Sequence, residues 1–180
     1  MAREPEAGAL IAIGSNIAPA ENVPRALALL RDRVAIAAVS SFYWSDPVGA
    51  ADQPRFLNGA CRVRTALAPR ELKFGVLRAI EDALGRVRTA DKYAPREIDL
   101  DIAVFGEWNV DEDGLRLPDP DIRRRTFLAI PLAEVAPDWV VPGAGATLSE
   151  IADGMPRSGL ELDAELTARC RQAAMEELEP

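Results

Sequence analysis

The sequence predicts an α+β fold in which a mainly antiparallel sheet of four to six strands has flanking helices packed on one face. Two observations carry this prediction. Segments that alternate apolar and polar residues, typical of strands, are interleaved with segments whose apolar residues recur at helical spacing, in the order β-α-β-β-α-β. The 180 residues are 48% hydrophobic and 28% charged, which suits one globular domain.

The first half of the chain predicts a strand, a helix and two further strands. Residues 9–13 (ALIAI) are an apolar run that ends in the turn signal Gly14-Ser15-Asn16. The following helix keeps four apolar residues on one stripe: Val23, Leu27, Leu30 and Val34. Strands are predicted over 34–43 and 56–67, and the segment between them is predicted to be an irregular loop because it contains two prolines and a glycine.

The second half predicts a helix from 69 to 85, a charged loop over 86–96 and a fourth strand over 97–105. A hairpin or loop follows over 106–120, then a short helix over 127–135 and two weaker helical patterns beyond residue 147. This order is typical of a ferredoxin-like sandwich. We predict a flexible tail at 1–8, a main domain at 9–150 and an acidic, peripheral helical extension at 151–180.

Composition excludes several classes of function. The net charge of −8 argues against broad binding of nucleic acid or anionic membranes. No apolar run approaches the roughly 20 residues that span a bilayer, and residues 1–14 lack the pattern of a signal peptide. The two cysteines, Cys61 and Cys170, predict buried thiols rather than a disulfide framework. We therefore expect a cytoplasmic protein without nucleic-acid or membrane partners.

The sequence contains no histidine. Serine and cysteine hydrolases that use a catalytic histidine, histidine-ligated zinc sites and imidazole acid–base catalysis are therefore excluded. Any chemistry must rely on carboxylates, arginines, lysines and a metal ion.

Three carboxylates alternate along the predicted fourth strand. Glu97, Asp99 and Asp101 fall on one face, and the residues between them fall on the other. Residues two apart on a strand are separated by about 6.5 to 7 Å, a spacing at which two carboxylates can converge on hard cations. The alternative is a solvated acidic face on an edge strand.

A cluster of basic residues lies directly before these carboxylates: Arg86, Arg88, Lys92 and Arg96. A magnesium nucleotide needs this combination, because carboxylates bind the metal while guanidinium groups bind phosphate oxygens. No P-loop or G-x-G-x-x-G motif is present. The alternative is a surface loop whose charges only interact with water.

Five stretches together resemble the 6-hydroxymethyl-7,8-dihydropterin pyrophosphokinase family of folate biosynthesis. They are IAIGSN (11–16), VSSFYWSDPVGAADQPRFLNGA (39–60), LGRVR (84–88), PREIDLDI (95–102) and FLAIPLAEVAP (127–137). The resemblance covers roughly residues 9 to 150. It implies transfer of pyrophosphate from ATP to the hydroxymethyl group of the pterin with release of AMP. We expect the chain to act as a monomer, and other folate enzymes are candidate partners.

The resemblance also implies roles for individual residues. Asp99 and Asp101 would hold two Mg²⁺ ions, and Arg86 and Arg96 would bind the phosphates during catalysis. The expected nucleotide contacts are Glu81, Arg88, Tyr93, Asp119 and Arg125. The expected pterin contacts are the stacking rings of Phe56 and Phe127, the amide of Asn58, and Ser45, Asp46 and Val48.

The sequence departs from the family pattern at Asp119. The family usually has a histidine there, in a Pro-His-Pro or Pro-His-Tyr signature, and that histidine contacts ATP. An aspartate is expected to weaken nucleotide affinity unless Arg123 or Arg124 compensates. This departure leaves a second hypothesis open, a non-catalytic pterin- or nucleotide-binding relative. A third, an RNA-binding module, is disfavoured by the acidic charge and by the lack of an exposed aromatic stripe.

Overall fold

In the computed structural model, which describes residues 7–49, 52–91 and 93–175, helices surround one six-stranded sheet. The strands are β1 (Ala7–Ser15), β2 (Ala35–Val39), β3 (Tyr43–Ser45), β4 (Phe56–Thr65), β5 (Asp99–Phe105), β6 (Val110–Glu112), β7 (Leu115–Leu117) and β8 (Glu161–Leu162). The helices are α1 (Pro19–Arg31), α2 (π-type over Glu71–Leu77, α-type over Arg78–Ala83), α3 (Thr126–Val135), α4 (Leu148–Asp153) and α5 (Ala164–Met175), with a 3-10 turn at Pro120–Arg123.

The main sheet has the order β5-β1-β4-β3-β8, and β2 also pairs with β4. These pairings are antiparallel, so the predicted mainly antiparallel sheet is confirmed. Strand β1 lies between β4 and β5, with Gly14 opposite both Asn58 and Asp99. Strands β6 and β7 form a separate hairpin, which agrees with the excursion predicted over 106–120.

Helices cover both faces of the sheet, so the prediction that they pack on one face is wrong. Ile11 and Ile13 of β1 pack with apolar residues of α1, α2 and α5. Leu10 packs on the opposite face with residues of α3 and α4. The physical reason is that β1 is apolar on both sides, and such a strand must be covered on both sides.

Two predicted element boundaries are also wrong. The strand predicted over 34–43 is divided into β2 and β3, because the Ser40 hydroxyl accepts the Ala60 N–H at 2.8 Å and interrupts the regular ladder. Strand β5 begins at Asp99, so Glu97 precedes it. The Glu97 carbonyl instead accepts a hydrogen bond of 2.6 Å from the Ser15 hydroxyl.

The ends of the chain are more structured than predicted. Ala7 and Gly8, assigned to a loose tail, belong to β1 because they pair with Thr65 and Arg64; residues 1–6 lie outside the described part. The last helix is not peripheral, since Leu166, Cys170 and Ala174 of α5 belong to the main core. The division into domains at residue 150 stays a prediction.

Both cysteines are buried and free, as predicted. Burial raises the pKa of the Cys61 and Cys170 thiols to about 12, so both are protonated at neutral pH. No helix within residues 7–49, 52–91 and 93–175 has the length and apolar character needed to cross a membrane.

Gly59 allows a close contact in the core. A Cβ at this position would lie 2.3 Å from the fully buried ring of Phe42. We expect Gly59→Ala to lower the free energy of unfolding by about 1–3 kcal/mol, because the core would be overpacked. Urea denaturation measures this change. Gly75→Ala is the matched control, since its Cβ would meet nothing within 4 Å; equal stability of the two variants would contradict the prediction.

Candidate active site

A cavity of about 290 Å³ opens on the sheet face that carries α3. It brings together most of the residues singled out from the sequence. They are Ser45, Asp46, Val48, Phe56, Asn58, Tyr93, Arg96, Asp99, Asp101, Asp119, Arg125 and Phe127. These residues come from three strands (β3, β4 and β5), three loops and one helix, and the antiparallel pairing of β1 with β4 and β5 places them around one opening.

The two aspartates of β5 lie on the cavity side of the sheet, opposite Gly14 and Ala12 of β1. Both carboxylates have cationic partners. Asp99 accepts from the guanidinium groups of Arg86 and Arg96, each at 2.6 Å. The ammonium group of Lys73 lies 3.2 Å from an Asp101 oxygen. Each of the two aspartates therefore has at least one cationic partner before any ligand binds.

Partial burial, together with the nearby Asp99 carboxylate, raises the pKa of Asp101, while Lys73 opposes this effect. Within the described residues, no group of three or more acidic, histidine or cysteine side chains forms a complete metal cage. Two carboxylates beside an open cavity suit Mg²⁺, which commonly binds one or two carboxylates and takes its other ligands from water and phosphate.

Glu81 lies beneath the cavity and does not line it. Its side chain is almost fully buried and accepts hydrogen bonds from Arg86, Arg88 and, at 2.9 Å, the Leu100 N–H. Burial raises the pKa of Glu81, and these partners oppose that effect. Glu81 therefore joins α2 to β5 and positions Arg86, which in turn contacts Asp99. The nucleotide contact that the resemblance implies for Glu81 stays a prediction.

Arg86 and Arg88 also lie outside the cavity lining. The Arg88 guanidinium group pairs with Glu81 and, at 2.8 Å, with Asp82. It contacts neither aspartate of β5 among the ion pairs of the described residues. The structure thus separates the two arginines: Arg86 contacts Asp99, while Arg88 contacts only Glu81 and Asp82 of α2 among the ion pairs of the described residues.

The turn after β1 fixes Arg96. The Asn16 side chain accepts the Arg96 N–H at 2.8 Å, and the Arg96 carbonyl accepts the N–H groups of Asn16 and Ile17. These two backbone N–H groups are therefore used within the protein. Gln53 donates to the Tyr93 carbonyl, so the loop before β5 contacts the loop before β4. Lys92 lies outside the described residues.

The other side of the cavity combines aromatic and polar groups. Phe56 of β4 and Phe127 of α3 both line it. The buried Asn58 amide donates to the Ser45 hydroxyl at 2.8 Å. The Asp46 carboxylate is largely exposed and lies 3.6 Å from Arg55. Two rings with an oriented amide between them suit a flat heterocycle.

Asp119 lies at the boundary with a second cavity, of about 320 Å³. Its carboxylate accepts the Asp121 N–H at 2.8 Å and so caps the 3-10 turn. Burial raises its pKa. The second cavity is lined by Lys73, Asp101, Ile102, Glu112, Gly114, Leu115, Arg116, Asp119 and Pro120. The two cavities therefore share Asp101 and Asp119.

Sequence reasoning missed two residues of this region, Lys73 and Asp121. Lys73 lies on the polar side of α2, and nothing in the sequence indicates that it meets a carboxylate 28 positions away. Asp121 lines the first cavity, and its only signal was its position two residues beyond Asp119.

Comparison with known proteins provides relatives that extend over most of the chain. The sequence model of the family described as 7,8-dihydro-6-hydroxymethylpterin-pyrophosphokinase (HPPK) matches residues 10–137. A Pseudomonas aeruginosa protein named 2-amino-4-hydroxy-6-hydroxymethyldihydropteridine pyrophosphokinase is 42% identical over 154 residues, which are 84% of this chain and 93% of that protein. A Bacillus subtilis protein of the same name is 43% identical over 130 residues, or 71% and 77% of the two chains.

The crystal structure of wild-type Plasmodium falciparum HPPK-DHPS matches with a TM-score of 0.66 at 12% identity, over 82% of this chain. That likeness concerns the fold alone, and this chain covers 44% of that longer protein. The family match is more informative, because residues 10–137 include β4, β5 and α3, which form the cavity. With relatives above 40% identity over most of its length, the chain belongs to the 7,8-dihydro-6-hydroxymethylpterin-pyrophosphokinase family.

Proposed function

We propose that this chain transfers the terminal diphosphate of ATP to the hydroxymethyl group of 6-hydroxymethyl-7,8-dihydropterin in folate biosynthesis. The pterin hydroxyl oxygen attacks the β-phosphorus, the bond from that phosphorus to the α,β-bridging oxygen breaks, and AMP leaves with the bridging oxygen. The hydroxyl proton is released. The observation that carries this proposal is that two cavities meet at Asp101 and Asp119, so that two substrates can meet beside Asp99 and Arg96.

The chain's residues divide the work between the two substrates. Asp99 and Asp101 are the proposed ligands of Mg²⁺, with two ions expected, and bound Mg²⁺ would neutralise charge on the phosphate oxygens. Arg96 and Arg86 lie next to Asp99 and supply positive charge where the diphosphate moves. On the other side, Phe56 and Phe127 are proposed to enclose the pterin ring.

No nucleophilic or basic side chain is required by this reaction. Phosphoryl-type transfer asks a protein mainly for alignment and for stabilisation of charge. The absence of histidine from the sequence is therefore compatible with the activity. Asn58, held by Ser45, is proposed to fix the orientation of the pterin by hydrogen bonds to its edge. Val48 and Asp46 complete that side of the cavity.

The topology of the sheet supports a more specific description of the fold. The strand order β5-β1-β4, with β2 beside β4, supports a ferredoxin-like arrangement. We propose a cytoplasmic, monomeric enzyme whose candidate partners are other enzymes of the folate pathway. We also propose that Arg88, Tyr93, Asp119 and Arg125 contact the nucleotide.

A product assay tests the function. Incubation with ATP, Mg²⁺ and the hydroxymethyl dihydropterin should yield AMP, separated from ADP by ion-exchange chromatography. Omission of any one of the three should abolish AMP formation. ADP as the product would contradict diphosphate transfer. Tight pterin binding without AMP would instead support a non-catalytic relative.

Lys73 competes with a metal ion for Asp101. Its ammonium group lies 3.2 Å from the carboxylate and lines the second cavity. We expect Lys73→Met to tighten Mg²⁺ binding in the absence of nucleotide by about two- to fivefold, the range expected for loss of a partly exposed ion pair. The same variant should raise the KM for ATP. Titration calorimetry with MgCl₂ measures the first effect.

Arg116→Met is the matched control for Lys73→Met. Arg116 lines the same cavity, but its guanidinium group pairs with Asp111 at 3.4 Å. We expect no change in Mg²⁺ affinity for this control. Weaker Mg²⁺ binding in Lys73→Met than in the wild type would refute the competition.

A further inference from the structure

The last part of the chain, β8 and α5, lies beyond residues 10–137 that match the family, yet it contacts the cavity strand β3. We propose that Asp163 is a positioning residue for the pterin side of the cavity. It ties β8 and α5 to β3, and through β3 it holds Ser45 against Asn58. This inference rests on the proposed function.

Asp163 makes three hydrogen bonds that join these elements. One carboxylate oxygen accepts the Trp44 indole N–H at 2.9 Å. The other accepts the Leu166 N–H at 2.9 Å, in the first turn of α5. Its own N–H donates to the Phe42 carbonyl at 2.9 Å. A single residue therefore anchors the start of α5 and contacts both Trp44 of β3 and Phe42, the residue just before β3.

Neighbouring contacts reinforce this connection. The Thr167 hydroxyl of α5 accepts the buried Phe42 N–H at 2.8 Å. Strand β8 pairs with β3, with Leu162 opposite Tyr43. Strand β3 is only three residues long, and it depends on β4 on one side and on β8 on the other. The C-terminal segment therefore supplies one of the two flanks of a very short strand.

Strand β3 leads directly into the cavity. Ser45 follows Trp44, and its hydroxyl accepts from the Asn58 amide at 2.8 Å. Arg55 adds a second connection, because it pairs with Glu161 of β8 at 2.8 Å and lies 3.6 Å from Asp46. A shift of β3 would move Ser45 and break the shortest hydrogen bond of the Asn58 amide, which would keep only the 3.3 Å contact with the Phe56 carbonyl of its own strand. Small displacements of positioning groups reduce ligand affinity markedly.

The effect should be confined to one substrate. In the order β5-β1-β4-β3-β8, the aspartate pair lies on β5 at one edge of the sheet, and β8 lies at the other edge. Lys73 and Arg86, which contact the aspartates, belong to α2 and to the loop after it. Loosening β3 therefore disturbs the pterin contacts and leaves the nucleotide contacts in place.

The test compares Asp163→Ala with a control at the other end of α5. Arg31 of α1 donates to the Ala173 carbonyl at 2.7 Å, so Arg31→Met loosens α5 without touching β3. We expect Asp163→Ala to raise the KM and the Kd for the pterin about tenfold, because the substitution removes the two hydrogen bonds that the carboxylate accepts. The KM for ATP should change by less than about twofold. Arg31→Met should lower the melting temperature but leave pterin affinity unchanged.

Trp44→Phe decides the outcome if Asp163→Ala does not fold. It removes the indole donor but retains an aromatic ring, and it should raise the pterin Kd in the same direction. Titration of each folded variant with the pterin and a non-reactive ATP analogue gives both affinities. The inference is overturned if Asp163→Ala and Trp44→Phe bind the pterin as tightly as the wild type does. It is also overturned if Arg31→Met loses as much pterin affinity as these two variants. Failure of the wild type to bind the pterin overturns the proposed function instead.

Discussion

Asp101→Ala is expected to lower the rate of AMP formation by at least about a hundredfold while the fold is retained. Asp101 faces the cavity and is shared with the second cavity, so its loss removes a proposed Mg²⁺ ligand at the point where the substrates meet. The neighbouring Leu100 and Ile102 pack in the core and are unaffected. The AMP assay at saturating substrates measures the rate, and thermal denaturation followed by circular dichroism reports the fold.

Two further variants make this result interpretable. Asp101→Asn keeps the shape of the side chain and removes its charge, so it should lose activity to a similar degree. Asp111→Ala removes an aspartate of β6 that pairs with Arg116 outside the first cavity, and it should keep near-normal activity. An Asp101→Ala enzyme that retains activity within about tenfold of the wild type would exclude the metal role.

Arg96→Ala is expected to lower kcat by about a hundredfold through loss of transition-state charge stabilisation. Its guanidinium group lies 2.6 Å from Asp99 and lines the cavity, and its backbone bonds to Asn16 do not need the side chain. The pterin Kd should stay within about threefold of the wild-type value, because the Arg96 guanidinium carbon lies 6.0 Å from the centre of the Phe56 ring and makes only a weak contact with this pterin group. Steady-state kinetics and titration with the pterin separate these quantities.

Arg88→Ala is the control for Arg96→Ala. Arg88 pairs with Glu81 and Asp82 outside the cavity lining, so we expect a smaller loss of kcat. An equal loss of kcat in both variants would show that the total positive charge of the loop, and not the position of Arg96, determines the rate. A pterin Kd that rises as much as kcat falls would place Arg96 in ground-state binding instead.

The spacing of apolar and polar residues was sufficient to predict the strand and the helix that carry the site. Alternation along 99–102 placed two aspartates on one face and Leu100 and Ile102 in the core, as observed. The helical stripe over 72–84 also packs in the core as predicted. The same spacing contains a signal that was missed: Glu81 lies four residues after Leu77 and three before Leu84, on the buried side of α2.

Contacts between distant elements could not be predicted in this way. Lys73 meets Asp101 because α2 crosses the edge of β5, and single-sequence periodicity contains no information on that crossing. The presence of helices on both faces of the main sheet was also not predicted, although a continuous apolar run over 9–13 is typical of a strand buried on both sides. The role of Asp163 depends on β8 pairing with β3, a connection made by only two residues.

The balanced charges at the aspartate pair have a consequence for kinetics. Asp99 lies between two guanidinium groups and Asp101 lies beside an ammonium group, so the charges of this pair are compensated at short range. In a chain of net charge −8, a negatively charged nucleotide is not drawn in over long distances. Association of the magnesium nucleotide should therefore be slower than a steered encounter, and raising the ionic strength should not slow it.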